Sequence, residues 1–221
     1  MKFFDFLSGA RPPLVEQSLD DMGAMLDAAS EMFAAATALL LDNEPLALDL
    51  SARDEDINAR EQKVRRAVLE HMTIDPRDEL ALSLLLISVV QDAERCGDLA
   101  KSIAKAARLA DGPRSGRHVD ALRRIRDQVQ ALFPQARTAF LNADAGQSRA
   151  VMEAHDALKK EVTGYLRTLA AADDLPVSHA VSLAISARMI GRMSSHLSNI
   201  ISSVALPFDQ IRRSPTGGDD E

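Results

Sequence analysis

Two carboxylates stand four residues apart in the stretch DAERCGDLAK (92–101), which follows an uncharged, largely aliphatic run. On a helix, Glu94 and Asp98 differ by only about 40° in direction, so both acids point to the same side. Gly97 leaves out a side chain beside them and lets another backbone or a ligand come close. Carboxylate oxygens gathered in this way suit hard or borderline metal cations.

The preceding helical segment, RDEDINAREQKV (53–64), contains acids that match this pair. Asp54, Asn58 and Glu61 are spaced four and three residues apart and therefore share one helix face. Two antiparallel helices would bring Asp54 and Glu61 towards Glu94 and Asp98. Carboxylates this close repel each other, and protons, Arg or Lys side chains, or a cation relieve the repulsion. These four acids are candidate ligands for a cation.

A simpler interpretation needs no ligand. Acids at i and i+4 on an Arg-rich helix are usually the solvated partners of basic side chains, and Lys101 is well placed to pair with Asp98. Spacing alone favours this ion-pair interpretation. Cys96, inside the same motif, is interpreted as a small buried residue.

The composition defines the class of protein. The chain has 221 residues, of which 46% are hydrophobic and only 4% aromatic. Together with abundant Ala, Leu, Arg and Glu, this predicts an all-α fold. A single cysteine and the lack of a leader-like N-terminus indicate a cytoplasmic location, and the uncharged runs are too short for a membrane-spanning helix.

The net charge of -7 argues against a nucleic-acid partner. Arg123, Arg124 and Arg126 are interpreted as a solvated face.

Proline- and glycine-containing breakers divide the chain into six helical segments. Asp75 is predicted to cap the third segment, with Pro76 in its first turn. The two halves align, because Pro76 and Pro176 are 100 residues apart and Arg95 lies over Arg192. This internal duplication predicts two tandem three-helix bundles. The predicted organisation is an N-terminal segment (1–13), a first repeat (14–110), a linker (111–117), a second repeat (118–206) and a disordered tail (207–221).

The stretch DPRDELALSLLLISVVQDAERCGDLAKSIAKAA (75–107) resembles the signature of PhoU-type phosphate-uptake regulators, and the resemblance covers both repeats. It implies that Glu94 and Asp98 join acids of the neighbouring helix, here Asp54 and Glu61, in binding a multinuclear iron or zinc cluster. It also implies a non-enzymatic regulatory adaptor that negatively modulates phosphate uptake or signalling through a phosphate transporter or a sensor histidine kinase. Such a protein is expected to form a homodimer and to contact the membrane only through its partner.

The second repeat departs from this pattern. Gly191 and Ser195 stand where the family has its acid pair, which leaves Arg192, His196 and Asn199 around them. These residues are unsuited to a cluster of hard cations, so any metal is expected in the first repeat only. On the fifth segment His155, Asp156 and Glu161 are interpreted as surface or capping groups.

Two other functions remain open from the sequence. One is a metal-dependent enzyme that uses the first-repeat carboxylates, and the other is a helical scaffold that binds no metal. An enzyme requires an open metal position and a nearby general base, yet only carboxylates, and no histidine, are predicted to converge.

Overall fold

A computed structural model of the chain describes residues 12–213, except 76 and 78. Within these residues the chain forms six α-helices and no strand, which confirms the predicted all-α fold. A three-residue 3-10 turn follows the last helix, at Phe208–Gln210. The helices are α1 (Pro13–Thr37), α2 (Leu50–Ile74), α3 (Leu80–Ala107), α4 (Arg117–Leu141), α5 (Ala145–Ala170) and α6 (Val177–Ala205).

Aspartate side chains fix where α2 and α5 begin. Asp49 accepts hydrogen bonds from the backbone N–H groups of Ser51 and Ala52, at 3.0 and 3.1 Å. Asp144 caps α5 in the same way, through the two residues that follow Ala145. Each cap satisfies N–H groups that have no partner within the helix and contributes about 1 kcal/mol.

The start of α3 differs from the sequence prediction. Asp75 does not cap this helix; its own N–H bonds to the carbonyl of His71 at the end of α2, at 2.9 Å. The helix begins at Leu80, after Glu79 in the left-handed region at φ 48°. Pro76, predicted to lie in the first turn, falls outside the described residues. The aliphatic run of α3 therefore starts the helix without a side-chain cap.

The end of α1 is joined to the segment predicted as a linker. The helix continues as a π-helical turn over Ala38–Asp42 and stops at Asn43, which is left-handed at φ 57°. Arg114 is buried, and its guanidinium donates to the carbonyls of Leu40 and Ala107, at 2.6 and 2.9 Å. Asn43 also donates to the Arg114 carbonyl, at 2.9 Å. One arginine thus satisfies the terminal carbonyls of two helices.

The centre of the molecule is an antiparallel pair formed by α3 and α6. Ser182, near the start of α6, donates to the carbonyl of Ala106, near the end of α3, at 2.7 Å. Further along, Asn199 of α6 donates to Asp92 of α3. Phe33 of α1 packs on Phe133 of α4 with ring centroids 5.7 Å apart, and both rings are buried. The hydrophobic core is therefore continuous between the two halves.

Two arginines of α4 do not form the predicted solvated face. Arg123 and Arg126 both bind Asp42 at the end of the π-helical turn, with N–O distances of 2.8 and 2.9 Å. Burial alone would raise the pKa of Asp42, but the hydrogen bonds from Arg126 and Arg123 hold it below its usual value. The interpretation was wrong for these two residues, because their acid partner lies 81 and 84 positions earlier in the sequence. Arg124 is exposed, as expected.

The polar tail is ordered further than predicted. Beyond the 3-10 turn, Arg212 donates to the carbonyl of Ser88 at 2.6 Å, and its backbone N–H donates to Ser202 at 2.9 Å. The prediction of disorder from residue 207 was therefore wrong up to residue 213, and residues 214–221 fall outside the described residues. The ordering comes from hydrogen bonds to α3 and α6 that composition does not reveal.

The segment Pro13–Asp42 is long and apolar enough to cross a membrane by length and composition. In the folded chain, 56% of its apolar window is buried. Its large side chains, including Met22, Met25 and Phe33, are fully buried in the hydrophobic core. A core helix of a bundle has this same composition.

Candidate functional site

The predicted acid cluster lies between α2 and α3 and is built around Gly97. A Cβ atom at this position would lie 3.0 Å from Ile57 Cδ1 and 3.2 Å from Asp54 Oδ1. The missing side chain lets the two helices approach closely and places Asp54 beneath the 94–98 turn of α3. The close approach expected from the sequence is thus present.

Lys101 lies between two of the predicted metal ligands. Its Nζ atom is 2.5 Å from Asp54 Oδ2 and 3.0 Å from Asp98 Oδ1. The ion pair between Asp98 and Lys101 that spacing favoured is confirmed. Glu61 pairs with Arg65 one turn further along α2, at 2.8 Å. Among the described residues, no three His, Cys, Asp or Glu side chains are grouped closely enough to hold a metal ion.

Two features show that negative charge is still in excess at this cluster. Burial, followed by the charges of Asp98 and Glu61, raises the pKa of Glu94 to about 7. Asp54 is 5% exposed, and its Oδ1 atom is buried with no hydrogen-bond partner among the described residues. Lys101 and Arg65 therefore compensate the four acids only in part.

A second buried carboxylate, Asp92, was missed by the sequence analysis. Its Oδ1 lies 2.8 Å from His196 Nδ1 and 2.9 Å from the Asn199 amide, and its Oδ2 lies 2.8 Å from Arg212. Burial alone would raise the pKa of Asp92, but these hydrogen bonds and the Arg212 charge hold it below the usual range. The available signal was position, because Asp92 is four residues before buried Cys96 on the face of α3 that packs inward.

The second half presents a different surface at the corresponding place. Gly191 and Ser195 line a cavity of about 360 Å³ between α5, α6 and the segment after the 3-10 turn. His155 and Asp156 also line it, and His155 Nδ1 lies 2.9 Å from Ser194 Oγ. Five of the lining residues are Lys or Arg and one is an acid. Among the described residues that line this cavity, Asp156 is the one carboxylate.

Other reactive groups are inaccessible or already paired. Cys96 is fully buried, and burial strongly raises the pKa of its thiol, so a thiolate role is disfavoured. Glu161, on α5, accepts a hydrogen bond from Gln128 at 2.9 Å, which fits the surface role predicted for it. His196 and Asn199, predicted only to be unsuited to metal, instead bind Asp92 of the first half.

The architecture and the acidic α2–α3 cluster define a duplicated helical-bundle protein with polar contact sites between its helices. The family model described as PhoU domain matches residues 22–107. The phosphate-specific transport system accessory protein PhoU homolog of Pseudomonas putida is 30% identical over 195 residues, which cover 84% of this chain and 74% of that protein. The homolog of the same name from Pseudomonas aeruginosa is 28% identical over 84% of this chain and 78% of its own. The chain belongs to the PhoU family.

Solved structures agree with this assignment. The crystal structure of PhoU from Pseudomonas aeruginosa superposes with a TM-score of 0.79 at 25% identity and covers 86% of this chain and 95% of that chain. The phosphate transport system regulatory protein PhoU from Streptococcus pneumoniae gives a TM-score of 0.77 at 14% identity over 86% and 92% of the two chains. The second similarity shows the fold alone.

Proposed function

We propose that this protein is a regulatory adaptor that lowers phosphate uptake, or phosphate-dependent signalling, by contacting a phosphate transporter or a sensor histidine kinase in the cytoplasm. The observation that carries the proposal is the match to accessory proteins of phosphate transport over 84% of the chain. The fully buried thiol of Cys96, the one cysteine of the chain, agrees with a binding role rather than nucleophilic catalysis.

Deletion of the gene tests this proposal. We expect cells without the protein to take up radiolabelled phosphate faster in phosphate-rich medium, and to express phosphate-starvation genes there. Reintroduction of the wild-type gene should restore both to the original level. Unchanged uptake and unchanged expression in the deletion strain would reject the adaptor function.

We further propose that Glu94, Asp98, Asp54 and Glu61 bind iron or zinc in the first repeat. The proposal is supported by the hard oxygen donors on facing helices, the unpartnered Asp54 Oδ1 atom and the raised pKa of Glu94. Lys101 Nζ is 2.5 Å from Asp54 and so stands where a cation would approach. Metal binding must therefore displace Lys101 from Asp54 and remove the proton from Glu94.

Elemental analysis of the purified protein tests the metal proposal. Wild-type protein should retain iron or zinc until it is treated with a chelator, and Glu94→Ala with Asp98→Ala should abolish retention. Lys101→Met should increase retention, because the competing ammonium is gone. The exposed acids Glu153 and Asp173 of the second half, both changed to Ala, provide the control. Equal metal content in all four proteins would refute the site.

We also propose a homodimer. Apolar side chains exposed on α6, namely Val177, Val181 and Ile185, are 79%, 44% and 37% accessible and follow one face of the helix. Such a stripe supplies contact area to a second copy. Sedimentation at micromolar concentration should give twice the monomer mass of 24.0 kDa. A monomer under these conditions would reject the proposal.

A further inference from the structure

The cavity in the second half, called here the basic cavity, is formed by α5, α6 and residues 212–213. Its volume of about 360 Å³ falls within the range of small-molecule sites. It contains five Lys or Arg residues and one acid, Asp156, in a chain whose net charge is -7. The concentration of positive charge is therefore local and opposes the charge of the whole molecule.

Two exposed cations of this cavity belong to α6. Arg188 and Arg192 are four residues apart, point to the same side of the helix and are exposed. Neither forms a hydrogen bond or ion pair with any residue that the structure describes. Unlike Arg212, whose guanidinium is bound to Asp92, they keep their donors available. Guanidinium groups donate in a fixed fork that matches the oxygens of phosphate.

Neutral donors and open space lie beside these arginines. Gly191 leaves out a side chain, and a Cβ atom there would be in ordinary contact, 3.4 Å from Val162. Ser195 and Ser198 add hydroxyl groups to the wall, and Ser198 is 8% exposed. The Ser195 hydroxyl donates to the Gly191 carbonyl, at 3.2 Å. Ser198 has no hydrogen-bond partner within the described part of the chain. Hydroxyl groups of this kind complete the coordination of an oxyanion that arginines attract.

The other carboxylate near this wall is already neutralised. Asp92 faces α6 from α3, where His196, Asn199 and Arg212 bind both of its oxygens. The basic cavity thus retains a positive potential on the side that Arg188 and Arg192 line. The place that holds Glu94 and Asp98 in the first half holds the neutral residues Gly191 and Ser195 in the second, and the nearby Arg188 and Arg192 make it positive.

We propose that the basic cavity binds a small phosphate-bearing anion through Arg188 and Arg192, with Ser198 as an additional donor. The ligand is either free inorganic phosphate or the phosphate group of a soluble nucleotide, since both present the same oxygens. The two repeats then attract ligands of opposite charge at related positions. This binding goes beyond the adaptor function and does not depend on it.

Isothermal titration calorimetry of the full chain, with inorganic phosphate and with ATP in separate titrations at constant ionic strength, tests the proposal. Wild-type protein should bind at least one of the two, and the double variant Arg188→Gln, Arg192→Gln should bind at least tenfold more weakly. Ser195→Asp, which places a carboxylate in the wall, should weaken anion binding by a similar factor. Tighter binding of inorganic phosphate would identify the free ion as the ligand, and tighter binding of ATP would identify the phosphate group of a nucleotide.

The matched control is Arg149→Gln with Arg167→Gln, which removes the same charge from exposed positions of α5 outside the cavity. Its affinity should stay within twofold of wild type. The exposed Arg188 and Arg192 side chains form no hydrogen bond or ion pair within the described residues, so circular dichroism and the thermal midpoint of Arg188→Gln, Arg192→Gln should match wild type. Failure of the wild type to bind either anion at millimolar concentration, or equal losses in both double variants, would overturn the proposal.

Discussion

Asp92 is a buried carboxylate whose charge is matched by three donors from the second half of the chain. Glu94, only two residues away, is partly buried among acids, and burial and the charges of Asp98 and Glu61 raise its pKa to about 7. The contrast arises from the geometry of the helix, because side chains two positions apart differ by roughly 200° in direction. The same stretch of α3 therefore presents a paired carboxylate, Asp92, on one face and an incompletely compensated carboxylate, Glu94, on another.

Asp92→Asn should lower the free energy of unfolding by about 2–3 kcal/mol at pH 7, since His196 and Arg212 lose the negative charge they bind. Urea denaturation followed by circular dichroism measures the change. Asp209→Asn, at an exposed position in the 3-10 turn, is the control and should be within about 0.5 kcal/mol of wild type.

The effect of Asp92 should also depend on pH. Because the folded pKa lies below the unfolded one, this carboxylate stabilises the protein above about pH 4 and loses that effect as the pH falls through the folded pKa. The stability difference between wild type and Asp92→Asn should therefore shrink between pH 5 and pH 3. A difference that stays constant over this interval would contradict the assignment.

Glu94 should show the opposite pH dependence. Its folded pKa is raised to about 7, so ionisation of Glu94 costs stability as the pH rises from 4.5 towards and beyond 7. The free energy of unfolding of Glu94→Gln, relative to wild type, should be higher at pH 8 than at pH 5. The difference should be less than about 1 kcal/mol, because the site is partly exposed. Urea midpoints at both pH values measure this gain, and Glu153→Gln should show no such trend.

At the scale of helices, the sequence predicts the number, order and type of elements well. Six breaker-bounded segments correspond to six helices, because hydrophobic periodicity and turn residues are local signals. Bounds are less well predicted: α3 starts at Leu80 and not directly after the cap predicted at Asp75. Partners distant in sequence could not be predicted. Lys101 reaches Asp54 from 47 residues away, and periodicity cannot choose between a lysine and a metal as the cation.

The packing of α2 on α3 can be tested with two glycines in helix interiors. Gly97→Ala places a methyl group 3.0 Å from Ile57 and 3.2 Å from Asp54, whereas Gly191→Ala meets only ordinary contacts with Val162. Both changes gain about 1 kcal/mol of helix propensity. We expect Gly191→Ala to be neutral or stabilising and Gly97→Ala to be less stable than it by about 1–2 kcal/mol. Equal unfolding free energies would show that α2 and α3 are not closely packed at Gly97.

At the scale of the whole molecule, the repeats share their interior. The pairs between Arg126 and Asp42 and between Asp92 and Asn199 each join one repeat to the other, and the core is continuous through both. Duplication therefore describes how the sequence is organised, and we expect the six helices to unfold together. The division into residues 14–110 and 118–206 stays a prediction about the sequence repeat.

Phe33 and Phe133 provide the test of this shared interior. Either residue changed to Ala should lower the free energy of unfolding by about 3–5 kcal/mol, because a buried ring is replaced by a cavity. Since α1 and α4 hold the two rings 5.7 Å apart, the double variant should lose less than the sum of the single losses.

Hydrogen exchange followed by mass spectrometry locates the consequence of Phe33→Ala. If the six helices unfold as one cooperative unit, protection of the core amides should fall in α6 as well as in α3, by the factor that corresponds to the lost stability. Ser30→Ala, which removes only the partner of Gln130 at a half-buried position of α1, is the control and should change protection much less. Loss of protection confined to α1–α3, with wild-type exchange in α4–α6, would mean that each repeat is stable by itself and that contacts between α3 and α6 contribute little to folding.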